Sequence, residues 1–348
     1  MLDKQKSNSN PENLKIYIPN INSKKEISMA KFLITGGAGF IGNRFLSIML
    51  EKYPDNEFVV IDSLTYASNY SLIKKYNNLP NFRFYKADIT NKEEIFSIFD
   101  SEQFDIVVNF AAETHVDRSI INQEIFYKTN VFGTLVLLEA SLKYKIKRFH
   151  QVSTDEVYGD LSLDSKKEFS EDDPVRPSNP YSASKAAADL LALSFYRTFD
   201  LPVTISRCSN NFGPNQTYDK LIPLIIISAY EGKKIPLYGD GKNVRDWIYV
   251  DDHCKAIDLI INKGRAGEIY NISTHNLFSN IEIAKIILYE LGKTEDSITF
   301  TKDRLGHDKK YALSSFKLEA ELGFTSDFDF KESLKNTVSN YIDLLKKM

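Results

Sequence analysis

The chain has 348 residues, enough for about two domains at roughly 150 residues each, and its 43% hydrophobic and 26% charged residues exclude a disordered or collagen-like chain. Its 44 basic against 47 acidic residues lack the basic excess of a nucleic-acid binder, and no apolar run approaches the roughly 20 residues of a membrane span, so neither nucleic acid nor membrane is expected as a partner. The only cysteines, Cys208 and Cys254, exclude a disulfide scaffold and a cysteine-based zinc site and fit a reducing cytoplasm.

Residues 1–29 are rich in Asn, Lys and Ser, with Pro11 and Pro19, and read as a flexible leader, with Ile16–Ile21 as a short packed arm the other option. From Lys31 short apolar runs alternate with helical periodicity. Strands are predicted at Lys31–Thr35, Glu57–Asp62, Phe82–Ala87, Phe104–Phe110, Arg148–Ser153 and Pro202–Ser206. Helices are predicted at Phe40–Tyr53, Asn91–Asp100, Gln123–Lys143 and Tyr181–Phe199. Alternating strands and helices imply βαβ crossovers, a parallel sheet covered on both faces and an α/β fold. The expected architecture is a Rossmann-type doubly wound parallel sheet with a smaller mixed α/β substrate-binding domain. The large domain takes residues 30–207 and about 242–265. The smaller one takes 208–241 and 266–348, with helices at Val250–Asn262, Asn280–Leu291, Ser314–Leu322 and Phe330–Lys346 along this part of the chain.

Gly36, Gly39 and Gly42 form GxxGxxG between the first strand and the first helix, with Phe40 and Ile41 inside the motif. A tight turn there aims free helix N–H groups at a pyrophosphate, and a side chain would block its approach. Asp62 ends the second strand 20 residues after Gly42. A carboxylate at that place accepts from both ribose hydroxyls and repels a 2′-phosphate, so NAD is expected rather than NADP. Asp88 and Ile89 are placed for the adenine, and Phe110, Ala111 and Ala112 give a small-residue floor for a dinucleotide. Tyr181 and Lys185 lie one helical turn apart, so an ammonium would stand beside a phenol and lower its pKa.

These motifs resemble the extended short-chain dehydrogenase/reductases. STDEVYGDL at Ser153–Leu161 is similar to the nucleotide-sugar 4,6-dehydratases, and to their dTDP-glucose branch in particular. The resemblance continues through DSLTYASN at Asp62–Asn69, AAETHVDRSI at Ala111–Ile120, SRCSNNFGP at Ser206–Pro214, KLIP at Lys220–Pro223, GDGKNVRDWIYVDDH at Gly239–His253 and DRLGHDKKY at Asp303–Tyr311. It implies oxidation of a sugar at C4, loss of water across C5 and C6, and return of hydride to C6. In that scheme Thr154 is the hydroxyl partner of Tyr181 and Lys185. Glu156 removes the C5 proton, and Asp155 protonates the leaving C6 hydroxyl. Adjacent carboxylates push their pKa values apart, which suits separate acid and base roles.

The resemblance further implies cofactor contacts from Ser63, Leu64, Thr65, Thr129 and Asn211. For the nucleotide sugar, dTDP-glucose or UDP-glucose, it implies Thr114, Asn210, Lys220, Leu221, Pro236, Leu237, Tyr238, Arg245, Asn280, Asp303, Arg304 and His307. It also implies a homodimer built on the Gln123–Lys143 and Tyr181–Phe199 helices. Ser273, Thr274, Leu277 and Phe278 depart from the family pattern next to the nucleotide contacts, so the preferred base stays open between thymine and uracil. A 4-epimerase on the same scaffold needs no Asp-Glu pair, so Asp155 and Glu156 disfavour it. His150 inside a strand reads as structural, and no cluster has metal-ligand spacing, so no metal is expected.

Overall fold

The computed structural model describes residues 29–347; the expected leader lies outside the described residues apart from Met29. The strands are β1 (Lys31–Thr35), β2 (Glu57–Asp62), β3 (Phe82–Lys86), β4 (Ile106–Asn109), β5 (Arg148–Thr154) and β6 (Val203–Cys208). They continue with β7 (Asn210–Phe212), β8 (Ile235–Tyr238), β9 (Val244–Tyr249), β10 (Ile269–Ile272), β11 (Leu277–Ser279) and β12 (Ile298–Thr301). Seven make one sheet in the order β10-β6-β5-β4-β1-β2-β3, and every neighbouring pair in it is parallel.

Parallel strands covered on both faces need apolar side chains at successive positions. Phe32, Leu33 and Ile34 of β1 are almost fully buried for this reason. Phe32 and Ile34 face a core with Phe58, Val60 and Val108 under the Phe40–Lys52 and Val250–Lys263 helices. Leu33 faces the opposite core with Val59, Ile61, Val107 and Phe149 under the Lys92–Glu102, Thr134–Lys143 and Pro180–Phe199 helices. Full burial of each such side chain stabilises by about 1.5–3 kcal/mol. β1 lies between β2 and β4, so successive connections depart in opposite directions and leave a crevice at the carboxyl ends. A buried polar chain ties those ends together: Thr35 Oγ1 donates to Asn109 Oδ1 at 2.6 Å, and Asn109 Nδ2 donates to Gln151 Oε1 at 2.8 Å.

The smaller unit holds β11-β9-β7 and the β12-β8 pair around Phe212, Ile222, Trp247, Ile283 and Leu334. Two boundaries differ from expectation. β10, assigned by sequence to the smaller unit, is the outer strand of the large sheet, and Leu318, Leu322 and Phe324 pack into the same core as Tyr270 and Ile257. Conversely β9, assigned to the large unit, pairs with β7 and β11. Strands of three to six residues carry too few side chains to announce their sheet partner. The Leu221–Tyr230 helix was not anticipated either; its Ile-rich sequence has no polar face because it is buried between other helices.

The expected Gln123–Lys143 helix is a chain of three pieces. Gln123–Phe126 and Thr134–Lys143 are α-helical, and Tyr127–Gly133 between them is a π-helical turn. A Cβ on Gly133 would stand 2.5 Å from Ile89 Cδ1, so the absent side chain lets the widened turn pack on the loop after β3.

Candidate active site

A cleft of about 340 Å³ opens over the carboxyl ends of β1, β2, β4, β5 and β6. It runs from the glycine loop through Thr154, Asp155 and Glu156 to Tyr181, Lys185 and Lys220.

At its base Gly36 has φ +68, and a Cβ there would lie 2.7 Å from the Ala111 nitrogen. A Cβ on Gly42 would lie 2.4 Å from the Gly36 carbonyl oxygen. Gly39 caps the Phe40–Lys52 helix with no side-chain cap, and the first turn carries no acidic residue. Its leading N–H groups and helix dipole therefore face the cleft without a competing anion, which fits a pyrophosphate. Asp62 holds the far side. Its Oδ2 accepts from Ala38 N at 3.0 Å, and its Oδ1 accepts from Leu64 N at 2.8 Å and Ser68 Oγ at 2.7 Å. Leu64 thus serves through its backbone, at φ +56, and its side chain packs on the core rather than lining the cleft.

β5 ends at Thr154, and a 3₁₀ turn over Asp155–Tyr158 follows. Thr154 Oγ1 accepts from Glu156 N at 3.3 Å and donates to Asp155 Oδ1 at 3.2 Å. Asp155 Oδ2 is buried without a hydrogen-bond partner among the described residues. Burial first, then the Glu156 charge, drives the Asp155 pKa well above the usual carboxylate range. Glu156 is also raised by burial, but Arg245 and Lys220 pull it down. Both carboxyls are thus raised by burial, Asp155 the more strongly, while Arg245 acts on both and Lys220 on Glu156.

The Pro180–Phe199 helix begins at a complete cap. Ser182 N donates to Asn179 Oδ1 at 2.9 Å, Asn179 N donates to Ser182 Oγ at 3.2 Å, and Pro180 opens the first turn. The cap sets Tyr181 and Lys185 at the cleft, both buried. Tyr181 meets Phe126 edge to face, with ring centroids 6.4 Å apart. One expectation fails here. Lys185 does not hold the Tyr181 pKa down: burial drives it well above 10, reinforced by Glu156 and opposed by a hydrogen bond with Thr154. The ammonium of Lys185 is turned to the Val152 carbonyl oxygen, 2.6 Å away.

Most of the other predicted residues converge: Phe40, Ile41, Ser63, Thr65, Asp88, Ile89, Phe110, Ala111, Ala112, Thr114, Thr129, Asn210 and Asn211 all line the cleft. Leu221, Pro236, Leu237, Tyr238, Arg245, Asn280, Asp303, Arg304 and His307 stand outside its lining. Leu237 is corrected outright as a side-chain contact. β8 alternates, so Leu237 is 1% exposed in the small-unit core while Pro236 and Tyr238 point outward. The Arg245 guanidinium stacks on Tyr311 at 4.2 Å and donates to the Val244 and Asp308 carbonyls at 2.8 Å each. Arg304 forms a two-pronged ion pair with Asp117.

Several cleft residues escaped the sequence: Ser153, Cys208, Ser209, Gln216 and Thr217. Ser153 Oγ, Asn210 Oδ1 and Gln216 Oε1 are buried without hydrogen-bond partners among the described residues. Each unmet buried polar atom costs about 1–3 kcal/mol, so their concentration here is what a polar ligand would offset. Asn130 was also missed. It clasps both backbone groups of Glu113, at 2.8 and 3.0 Å, and donates to Ser184 Oγ at 2.8 Å. Its signal was present as a lone amide within an apolar helical stretch.

The parallel sheet, glycine turn and Tyr181–Lys185 helix define a nucleotide-binding short-chain dehydrogenase/reductase. Comparison with known proteins narrows this. The family model described as GDP-mannose 4,6 dehydratase matches residues 33–337. The low-salt glycan biosynthesis protein Agl12 of Haloferax volcanii is 47% identical over 310 residues, covering 89% of this chain and 98% of its own. The dTDP-glucose 4,6-dehydratase of Haemophilus influenzae is 44% identical, covering 90% of this chain and 98% of its own. A crystal structure of dTDP-glucose 4,6-dehydratase from Bacillus anthracis in complex with NAD superposes with a TM-score of 0.85 at 44% identity, covering 91% of this chain and 98% of that one. The chain belongs to the nucleotide-sugar 4,6-dehydratase family.

Proposed function

We propose that the chain is an NAD-dependent dTDP-glucose 4,6-dehydratase, a lyase that makes dTDP-4-keto-6-deoxyglucose. The observation that carries this reading is the adjacent Asp155–Glu156 pair in the same cleft as Thr154, Tyr181 and Lys185, with burial raising Asp155 the more strongly and Lys220 and Arg245 drawing Glu156 down. A 4-epimerase has no use for that pair.

The glycine loop, Asp62, Asp88 and Ile89 would hold the dinucleotide. When bound, NAD supplies an acceptor for the C4 hydride, a donor that returns it to C6, and a positive charge that favours the Tyr181 phenolate. Tyr181 Oη takes the C4 hydroxyl proton, and Thr154 keeps that hydroxyl in line. Oxidation at C4 acidifies the C5 proton, which the Glu156 carboxylate removes. Asp155 gives its proton to the C6 hydroxyl, and the C6–O bond breaks to release water. Glu156 then returns its proton to C5. Tyr181 gives its proton up and Asp155 regains one by exchange with solvent, so the balance is loss of one water with no net redox change. Lys220, which lines the cleft and whose Nζ lies 3.5 Å from the Thr114 carbonyl oxygen, supplies cationic charge for the diphosphate.

We assign the chain to a homodimer in the cytoplasm. Phe132, Leu190 and Phe199 are 45%, 59% and 51% exposed on the two helical segments expected to pair, an apolar surface that association would cover. Both cysteines are free thiols, which fits a reducing compartment. No helix among the described residues is long and apolar enough to cross a membrane. A monomeric mass by light scattering would exclude the dimer.

The deciding experiment incubates the purified protein with dTDP-, UDP-, CDP- and GDP-glucose and follows the 4-keto-6-deoxy product by mass. Turnover of dTDP-glucose fastest among the four supports the proposal. Preference for UDP-glucose reassigns the base, and epimerised product without water loss overturns the dehydratase reading.

A further inference from the structure

His253 sits in the first turn of the Val250–Lys263 helix and is fully buried. Its Nδ1 lies 2.8 Å from Asn211 Oδ1. The other prong of the same amide, Asn211 Nδ2, donates to the Ser209 carbonyl oxygen at 3.0 Å. The amide therefore has one orientation, with its nitrogen on the carbonyl and its oxygen on the imidazole. An amide oxygen only accepts, so His253 Nδ1 must carry the proton. His253 Nε2 is buried with no hydrogen-bond partner among the described residues. Burial holds the His253 pKa down at about 3, so the ring is the neutral Nδ1–H tautomer at ordinary pH.

Asn211 lines the cleft beside Cys208 and Ser209, where the main sheet hands over to the small one. β7 is only three residues long, so backbone pairing alone holds Asn211 loosely. His253 approaches it from a helix that also packs behind the glycine loop, with Cys254 Sγ 4.0 Å from the Ile41 carbonyl oxygen. One helix thus contacts both Asn211 and the helix that the glycine loop opens.

We infer that His253 is a positioning residue for cofactor binding: its Nδ1–H locks the Asn211 side chain into the wall that receives the dinucleotide. The inference rests on the NAD reading above. The test is direct NAD titration of cofactor-stripped protein by calorimetry, alongside KM and kcat. His253→Leu and Asn211→Ala should each weaken NAD binding about tenfold, the scale of one hydrogen bond. The double variant should be no weaker than either single one, because both break the same link. His253→Asn should restore affinity, since its amide nitrogen falls near the place of Nδ1. Should the Leu variant not fold, His253→Gln replaces it, because its amide nitrogen falls near Nε2 and leaves Asn211 unsupported. Wild-type affinity in the Leu or Gln variant, independent losses that multiply in the double variant, or no recovery with Asn each overturn the inference. Absence of NAD binding in the unmodified protein overturns the cofactor reading instead.

Discussion

Arg304 and Asp117 are 187 positions apart in sequence, yet the Arg304 guanidinium donates from Nε and Nη2 to the two Asp117 carboxylate oxygens at 2.7 and 2.8 Å. Tyr238 completes the group. Its ring lies 4.9 Å under the guanidinium, and its hydroxyl donates to Asp117 at 3.3 Å. The link joins a helix that follows β4 to the loop after β12, so it closes the two units against each other beside the cleft. Partly exposed bidentate pairs couple by about 0.2–1 kcal/mol. Asp117→Asn and Arg304→Met should each lower the unfolding midpoint slightly, and the double variant should fall short of their sum. Additive losses in denaturant melts would show that the pair contributes no coupling, and high salt should shrink the effect of either variant.

Tyr181→Phe keeps the ring on Phe126 and the cap at Asn179 while deleting the phenolic oxygen. Turnover of dTDP-glucose should drop about 10²–10⁴-fold, the usual loss for a proton-transfer group. NAD content and thermal midpoint should stay near those of the unmodified protein. Near-normal turnover would move the C4 base elsewhere.

Asp155→Asn and Glu156→Gln should stop the reaction at different points. The first leaves C4 oxidation intact but cannot protonate the C6 hydroxyl, so rapid-quench mass spectrometry should find the nucleotide 4-ketoglucose before water loss. The second should show little deuterium at C5 in heavy water. Because Asp155 acts protonated and its pKa is raised, activity should fall as pH rises through that raised value. The Asn variant, stalled before water loss, should form no dehydrated product at any pH across that range. If it dehydrates at the normal rate, Asp155 is not the acid.

His150 and His253 contribute to the loss of stability in acid. His150 is clasped between Thr204 and Ser206 at 3.0 Å each, and burial pushes both rings from 6.5 to about 3. Folded values lie below the unfolded one, so the unfolded chain binds the extra protons. The contribution is complete above pH 6.5 and fades as pH falls toward 3. Each ring should give up about 2 kcal/mol between pH 6.5 and 5. Denaturation midpoints measured across that window should fall steeply, and His150→Asn should flatten the slope. An unchanged slope would mean that the ring is not held neutral.

Local signals carried the large unit well. The strands Lys31–Thr35 and Glu57–Asp62, the GxxGxxG turn, Asp62 and the Tyr181–Lys185 spacing each depend on neighbours within a few residues or on a long apolar period. The Asp155–Glu156 pair was visible as two adjacent carboxylates after one strand, and took its role from the family resemblance. The smaller unit was not. β7, β8, β11 and β12 have three or four residues each, too short for a period to register.

What the sequence determined by itself was the α/β layering and the glycine turn, since these follow from periodicity and from adjacency along the chain; the roles proposed for Thr154, Asp155, Glu156, Tyr181 and Lys185 came through the resemblance to the 4,6-dehydratases. Only the tertiary structure decided where the charges go. Burial and Glu156 raise Tyr181, when adjacency to Lys185 alone argued the reverse, because desolvation and distant charges outweigh a helical neighbour turned to the Val152 carbonyl. Only folding could place β10 beside β6, Arg304 on Asp117 and His253 on Asn211, contacts between segments 42 to 187 positions apart that no local pattern encodes.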